Sequence, residues 1–67
     1  MRNIARIPHV CNKIADLWIN NCPDWRFMQF INNFMRWLGS DGFYLEDDKL
    51  IEMMELFIKE LNKNGSR

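Results

Sequence analysis

The sequence is short of the residues that usually carry chemistry or punctuate a chain. Among 67 residues there are three glycines, two prolines, two cysteines and one histidine. Structural zinc wants four ligands, and Cys11, Cys22 and His9 supply three at most. The two cysteines lie eleven positions apart. Along one helix, at about 1.5 Å per residue, their Cα atoms stand roughly 16 Å apart, whereas a disulfide needs less than about 7 Å. Both are therefore read as reduced thiols of a cytoplasmic protein, with Cys11 in the core. No segment approaches about 20 uninterrupted apolar residues, so no membrane span is expected, and the amino terminus has no apolar run of signal-peptide length. Internal repeats, low-complexity segments and strand pairs are also missing from the pattern.

An excess of charge of either sign is absent too. Nine basic and nine acidic residues cancel, which weighs against nucleic acid as a default ligand, since that affinity comes largely from Lys and Arg neutralising phosphates. The balance hides an asymmetry. Residues 1–37 carry five basic side chains and two acids, a net +3; residues 38–67 carry four basic and seven acids, a net −3. Such a bipolar chain can fold its halves together or pair head to tail with a copy of itself.

What is present is apolar and helical in period. At 48% hydrophobic and 13% aromatic residues, the composition is globular, and the length suits a single domain over 1–67, with 1–5 and 64–67 as loosely ordered ends. Ile7, Cys11, Ile14 and Trp18 recur at helical spacing, flanked by Val10 and Leu17 on one side and Ala15 and Ile19 on the other. They predict a first helix over 7–21, with Pro8 tolerated in its first turn and Pro23 ending it. The second helix, 24–38, starts at Asp24 as N-cap and stops at Gly39. Its apolar arc spans about 180°, in two stripes: Phe27, Phe30, Phe34 and Trp37 beside Met28, Ile31, Met35 and Leu38. Phe43, Tyr44 and Leu45 form a short extended bridge expected to lid the core. Leu50, Met54, Phe57 and Leu61, flanked by Ile51, Met53 and Ile58, predict a third helix over 47–62. The fold expected is all-α, a compact three-helix domain, up-down-up or orthogonal.

Few residues are of types that carry chemistry. Asp41 with Glu46, Asp47 and Asp48 suits a hard cation. The calcium-loop spacing fails, however, because Trp37 falls where the first ligand belongs, and acids at a helix start already interact well with its dipole. His9 has no serine or cysteine partner in the pattern and no acid to orient it. With no glycine-rich phosphate loop and no nucleophile motif, we expect no enzyme activity, no catalytic residues, no metal and no cofactor. Arg26, Gln29, Asn33 and Arg36 share one flank of the second helix, and these side-chain types read base edges. They define the alternative of a nucleic-acid-binding module. Trp25 stands outside the apolar arc beside Arg26, either packed under the first helix or exposed as an interface anchor.

Arg6-Ile7, Trp18, Pro23-Asp24, the Phe27–Phe30 segment with Gln29, and Asp47-Asp48-Lys49-Leu50 together resemble the YihD-like family of short uncharacterised bacterial and phage proteins. The similarity runs from residue 6 to about residue 58. It implies a compact helical domain and brings no catalytic residues with it. The chain departs from the pattern at Glu46, where relatives tend to have threonine before the acidic pair; Asp47 is then expected to cap the third helix.

In a three-helix bundle each helix needs an apolar stripe only somewhat over 100° wide. The second helix exceeds this, and a protein partner or a second copy is the simplest cover. The expected function is non-enzymatic protein interaction, as a homodimer or with another protein. In concrete form the chain is a phage or mobile-element regulator or inhibitor seated on a host protein. Trp25, Arg26, Phe27, Phe30, Phe34 and Trp37 are the candidate interface residues.

Overall fold

Pro23, Gly39 and Gly42 mark the joints of this chain, and the structure, a computed structural model that describes residues 3–63, has three helices around them, with Pro8 held in the first turn of the first. They are α1 (Arg6–Asn21), α2 (Phe27–Leu38) and α3 (Asp47–Lys63), with no strand among the described residues. The all-α three-helix fold is as the periodicity implies. No helix among the described residues is long and apolar enough to cross a membrane. The expected loose tail at 64–67 and the lead-in at Met1 and Arg2 lie outside the described residues. Residues 3–5, expected to be loose, form a turn: the Asn3 side chain accepts from the Ala5 N–H at 3.0 Å, and the Asn3 carbonyl accepts from Arg6 at 3.2 Å.

α1 ends where proline demands it. Cys22 leaves the helical region at φ −149° and ψ 58°. Its N–H still reaches the Trp18 carbonyl at 3.0 Å, and its own carbonyl accepts from Trp25 at 3.1 Å. That turn consumes Asp24, so α2 begins three residues later than expected and Asp24 is not its cap. Arg26 takes the extended N-cap conformation instead, and the Gln29 side chain accepts the Arg26 N–H at 2.7 Å. Gly39, at φ 85°, closes α2 in the left-handed region, as its position after Leu38 predicts. At the start of α3 the Glu46 carbonyl accepts from Leu50 at 2.8 Å, which places Asp47 inside the first turn rather than at the cap.

The bridge does not lid the core. Gly42 at φ 71°, the Asp41 carboxylate accepting from Phe43 at 3.0 Å, and Leu45 donating to the Gly42 carbonyl at 3.0 Å make a turn of it. This turn brings Leu45 inward and leaves Phe43 and Tyr44 in solvent.

α3 is the centre of the fold, and both other helices pack on it. Among the described residues it supplies four of the seven buried side chains, Ile51, Met54, Phe57 and Ile58, beside Phe30 and Phe34 of α2 and Cys22. α1 runs parallel to α3 at a constant offset of 41 residues. The Arg6 guanidinium donates to the Asp47 carboxylate at 2.7 Å at one end, and the Asn62 carboxamide donates to Asn21 at 3.0 Å at the other. α2 is the return segment between them.

That register decides which side of α1 is covered. Val10, Ile14, Leu17 and Trp18 are half-buried, and no residue of α1 is fully so. Cys11, expected in the core, is exposed. Cys22, at the end of the helix, is the thiol inside the core.

Two outcomes follow from this packing. Phe57→Ala is expected to lose about 3–5 kcal/mol in urea unfolding, a large share of the roughly 3–10 kcal/mol typical of a chain this long. A thiol reagent under native conditions is expected to label Cys11 at once and Cys22 only as fast as the core opens. Equal labelling rates would contradict the placement of both.

Candidate protein-interaction surface

The rings of α2 divide between core and surface according to which end of the helix they occupy. Phe30 and Phe34, one turn apart, are buried against Phe57 at centroid distances of 6.4 and 5.7 Å. They hold the fold and are not available to a partner. Trp25 is half-buried and packs on both Phe30 and Phe57 at 6.4 Å, which resolves the choice between packing and exposure in favour of packing. Trp37 lies along Phe34 and Phe57 and remains 37% exposed. Phe27 at the opposite end is 50% exposed. Ten residues separate those two, about 15 Å along the helix, so the six candidate interface residues do not form one surface.

The patch that does form lies where α1 ends and α2 begins. Trp18 is its middle. Its indole N–H donates to the Trp25 carbonyl at 2.9 Å, so the ring cannot turn freely. One face stacks on Phe30, at 6.1 Å and 7°, while Phe27 leans on it at 5.6 Å. Trp18, Ile19 and Pro23 line a hollow of about 220 Å³. Ile19 is 63% exposed and Met28, on the next flank of α2, is 56% exposed. The cause is geometric. α1 and α2 each pack mainly on α3 and meet each other chiefly through Trp18 on Phe27 and Phe30, so part of the apolar flank beside that contact stays open.

Ile19 and Pro23 were not among the sequence candidates. Ile19 read only as a flank that widened the first apolar stripe, and Pro23 as a helix stop and part of the Pro23-Asp24 pair. Their adjacency depends on the turn at residues 22–25, which periodicity does not describe.

Of the four polar residues assigned to one flank of α2, Arg26 stands at the N-cap in extended conformation and is exposed, as are Gln29 and Arg36, while Asn33 is half-buried. Gln29 is already committed to the Arg26 N–H. What remains for phosphate or base contact is two arginines, whose release of counterions gives little affinity.

A second concavity, of about 420 Å³, opens between the amino-terminal ends of the parallel helices α1 and α3. It brings His9 and Arg6 beside Glu46, Asp47 and Asp48, a proximity hidden by some forty residues of separation. The acids are turned to local tasks. Asp47 pairs with Arg6, Asp48 accepts from the Lys49 N–H at 2.9 Å, and Asp41 accepts from Phe43. Among the described residues no three His, Cys, Asp or Glu side chains converge as a metal site would need. The Arg6–Asp47 pair is more than a third exposed on both sides, so its contribution falls in the range of about 0–1 kcal/mol. The Arg6 Nε is buried and lacks a hydrogen-bond partner.

Titration with duplex DNA at about 50 mM salt is expected to show no binding. Measurable affinity lost on Arg26→Ala plus Arg36→Ala would instead restore the nucleic-acid alternative for this flank.

No protein-family model, curated protein or solved structure matches this chain.

Proposed function

We propose that this chain is a non-enzymatic protein-interaction domain that docks the apolar patch around Trp18 onto another protein surface. The observation that carries the proposal is the conjunction of Ile19 and Phe27, each at least half exposed, beside a tryptophan whose ring is held by a hydrogen bond and a stack. Exposed apolar groups scattered singly need no explanation, whereas a contiguous patch beside a hollow is what interfaces are built on. Fixing Trp18 in advance lowers the entropy lost on binding, and tryptophan is enriched among the side chains that dominate interface energies.

In its concrete form the domain is a regulator or inhibitor seated on a host protein, and the homodimer is one version of the same docking. The support is the patch itself. The resemblance to YihD-like proteins speaks only for a compact helical domain.

The test places a photoreactive phenylalanine analogue at position 19 in living cells. Illumination is expected to give discrete protein adducts that disappear when Phe27→Asp is added. Irradiation that yields no adduct of any mass would refute docking through this patch.

A further inference from the structure

We infer that the pole where α1 and α3 begin is a self-association surface, on which two copies of this chain pair about a two-fold axis through Ile4, Ile7, Phe43 and Tyr44. It is separate from the docking patch proposed above, which lies at the other end of α1 and stays free in the pair.

Four of the exposed apolar side chains belong to this pole. Ile4 is 78% exposed, Ile7 46%, Phe43 78% and Tyr44 91%. Two observations bring the segments that carry them together. Arg6 of α1 reaches Asp47 of α3 at 2.7 Å, and Asn3 and Glu46 line one concavity. Ile4 and Ile7 flank Arg6 in the chain, while Phe43 and Tyr44 stand just before Glu46. The turn is also firm. Asp41 accepts from the Phe43 N–H, Leu45 donates to the Gly42 carbonyl, and the two rings hold each other edge to face at 4.9 Å. Side chains ordered before contact lose little entropy on binding.

Area and size point to a second copy as the occupant. Aromatic side chains offer about 150–250 Å² each, so with the two isoleucines the pole presents roughly 500 Å² of apolar surface, near the top of what an ordinary monomer shows in one patch. Two such poles face to face cover roughly 1,000 Å², enough for a specific contact and short of a permanent one. Chains below about 70–80 residues seldom hold together on one core alone, and commonly add disulfides, a metal or a further subunit. Here both cysteines are free, and among the described residues no three ligating side chains converge and seven side chains are buried. Of those devices, a further subunit is the one for which this chain has the surface.

The pole occurs once per chain, so pole on pole is isologous and closes at two. Charge opposes it weakly. Asp41, Glu46, Asp47, Asp48 and Glu52 stand against Arg6, Arg36 and Lys49, five against three, a net −2 among the described residues. Apolar burial therefore drives the contact, and salt that screens the like poles strengthens it. The pair carries its two Trp18 patches at opposite ends, and docking of the first makes docking of the second intramolecular on any target with two sites in reach.

Sedimentation velocity on the intact chain from about 10 μM to about 1 mM tests this directly. The average mass is expected to rise with concentration to two chains and stop there, and to rise earlier at about 500 mM salt than at about 50 mM. Phe43→Ser with Tyr44→Ser is expected to leave single chains of unchanged helix content by circular dichroism, since neither ring is part of the core. Ile19→Asp, at the far end, is expected to pair as wild type does. The urea midpoint is expected to climb with chain concentration in wild type and to stay constant in the double variant. A wild type that stays single throughout, masses beyond two chains, pairing that weakens as salt rises, a double variant that pairs like wild type, or an Ile19→Asp chain that folds without pairing would overturn the inference. None of these outcomes bears on the position-19 adducts with another protein, by which the Trp18 patch is judged.

Discussion

Burial of one phenylalanine ring, Phe57, organises the fold. It meets Trp25, Phe30, Phe34 and Trp37 at centroid distances between 5.7 and 6.4 Å, so a single residue of α3 ties down the entry turn of α2 and both of its buried turns. Rings of this size supply large buried area, and tilted or edge-on pairs add to it. A short chain buries a smaller fraction of its surface than a larger domain does, and concentrating aromatic contact on one point is how this one forms a core. α1 then adds to a base already formed, contributing half-buried side chains and a hydrogen bond or ion pair at each end.

The parts of the structure readable in the sequence are those governed by local rules. Three apolar periodicities gave three helices, and Pro23 and Gly39 gave two of their ends, because proline geometry and left-handed termination act within a few residues. The face of each helix was harder. Met54, Phe57 and Ile58 of α3 read correctly as core because that helix is covered on two sides. Cys11 did not, because the side of α1 that is buried depends on its register against α3. Asp24 and Asp47 each looked like caps; a turn that delivers Trp25 to the core consumed the first, and a helix that starts one residue earlier, with the Glu46 carbonyl accepting from Leu50, took in the second. Phe43 and Tyr44 looked like core by composition, and a left-handed Gly42 with an Asp41 side-chain turn sent them outward.

The candidate site shows the same division. Excess apolar girth on α2 was visible from spacing alone, yet Phe30 and Phe34, two of its three phenylalanines, are covered by α3 and only Phe27 is left half exposed. What stays exposed comes from the ends of elements: Phe27 at the start of α2, Ile19 near the end of α1, and Pro23 between them. Surfaces composed of element ends arise from the chain's path, and a periodic pattern carries no information about that path.

The constant offset between α1 and α3 has a further consequence for how this unit sits in any larger molecule. Because the two rods point the same way, polypeptide attached ahead of residue 3 departs from the acidic pole, while polypeptide attached beyond residue 63 departs from the pole that bears Ile19 and Pro23. A bulky fusion at the leading side would leave the tryptophan hollow open, whereas the same cargo on the trailing side would crowd it. Stitching the two extremities into a ring would require a tether spanning the full length of α1, about 23 Å.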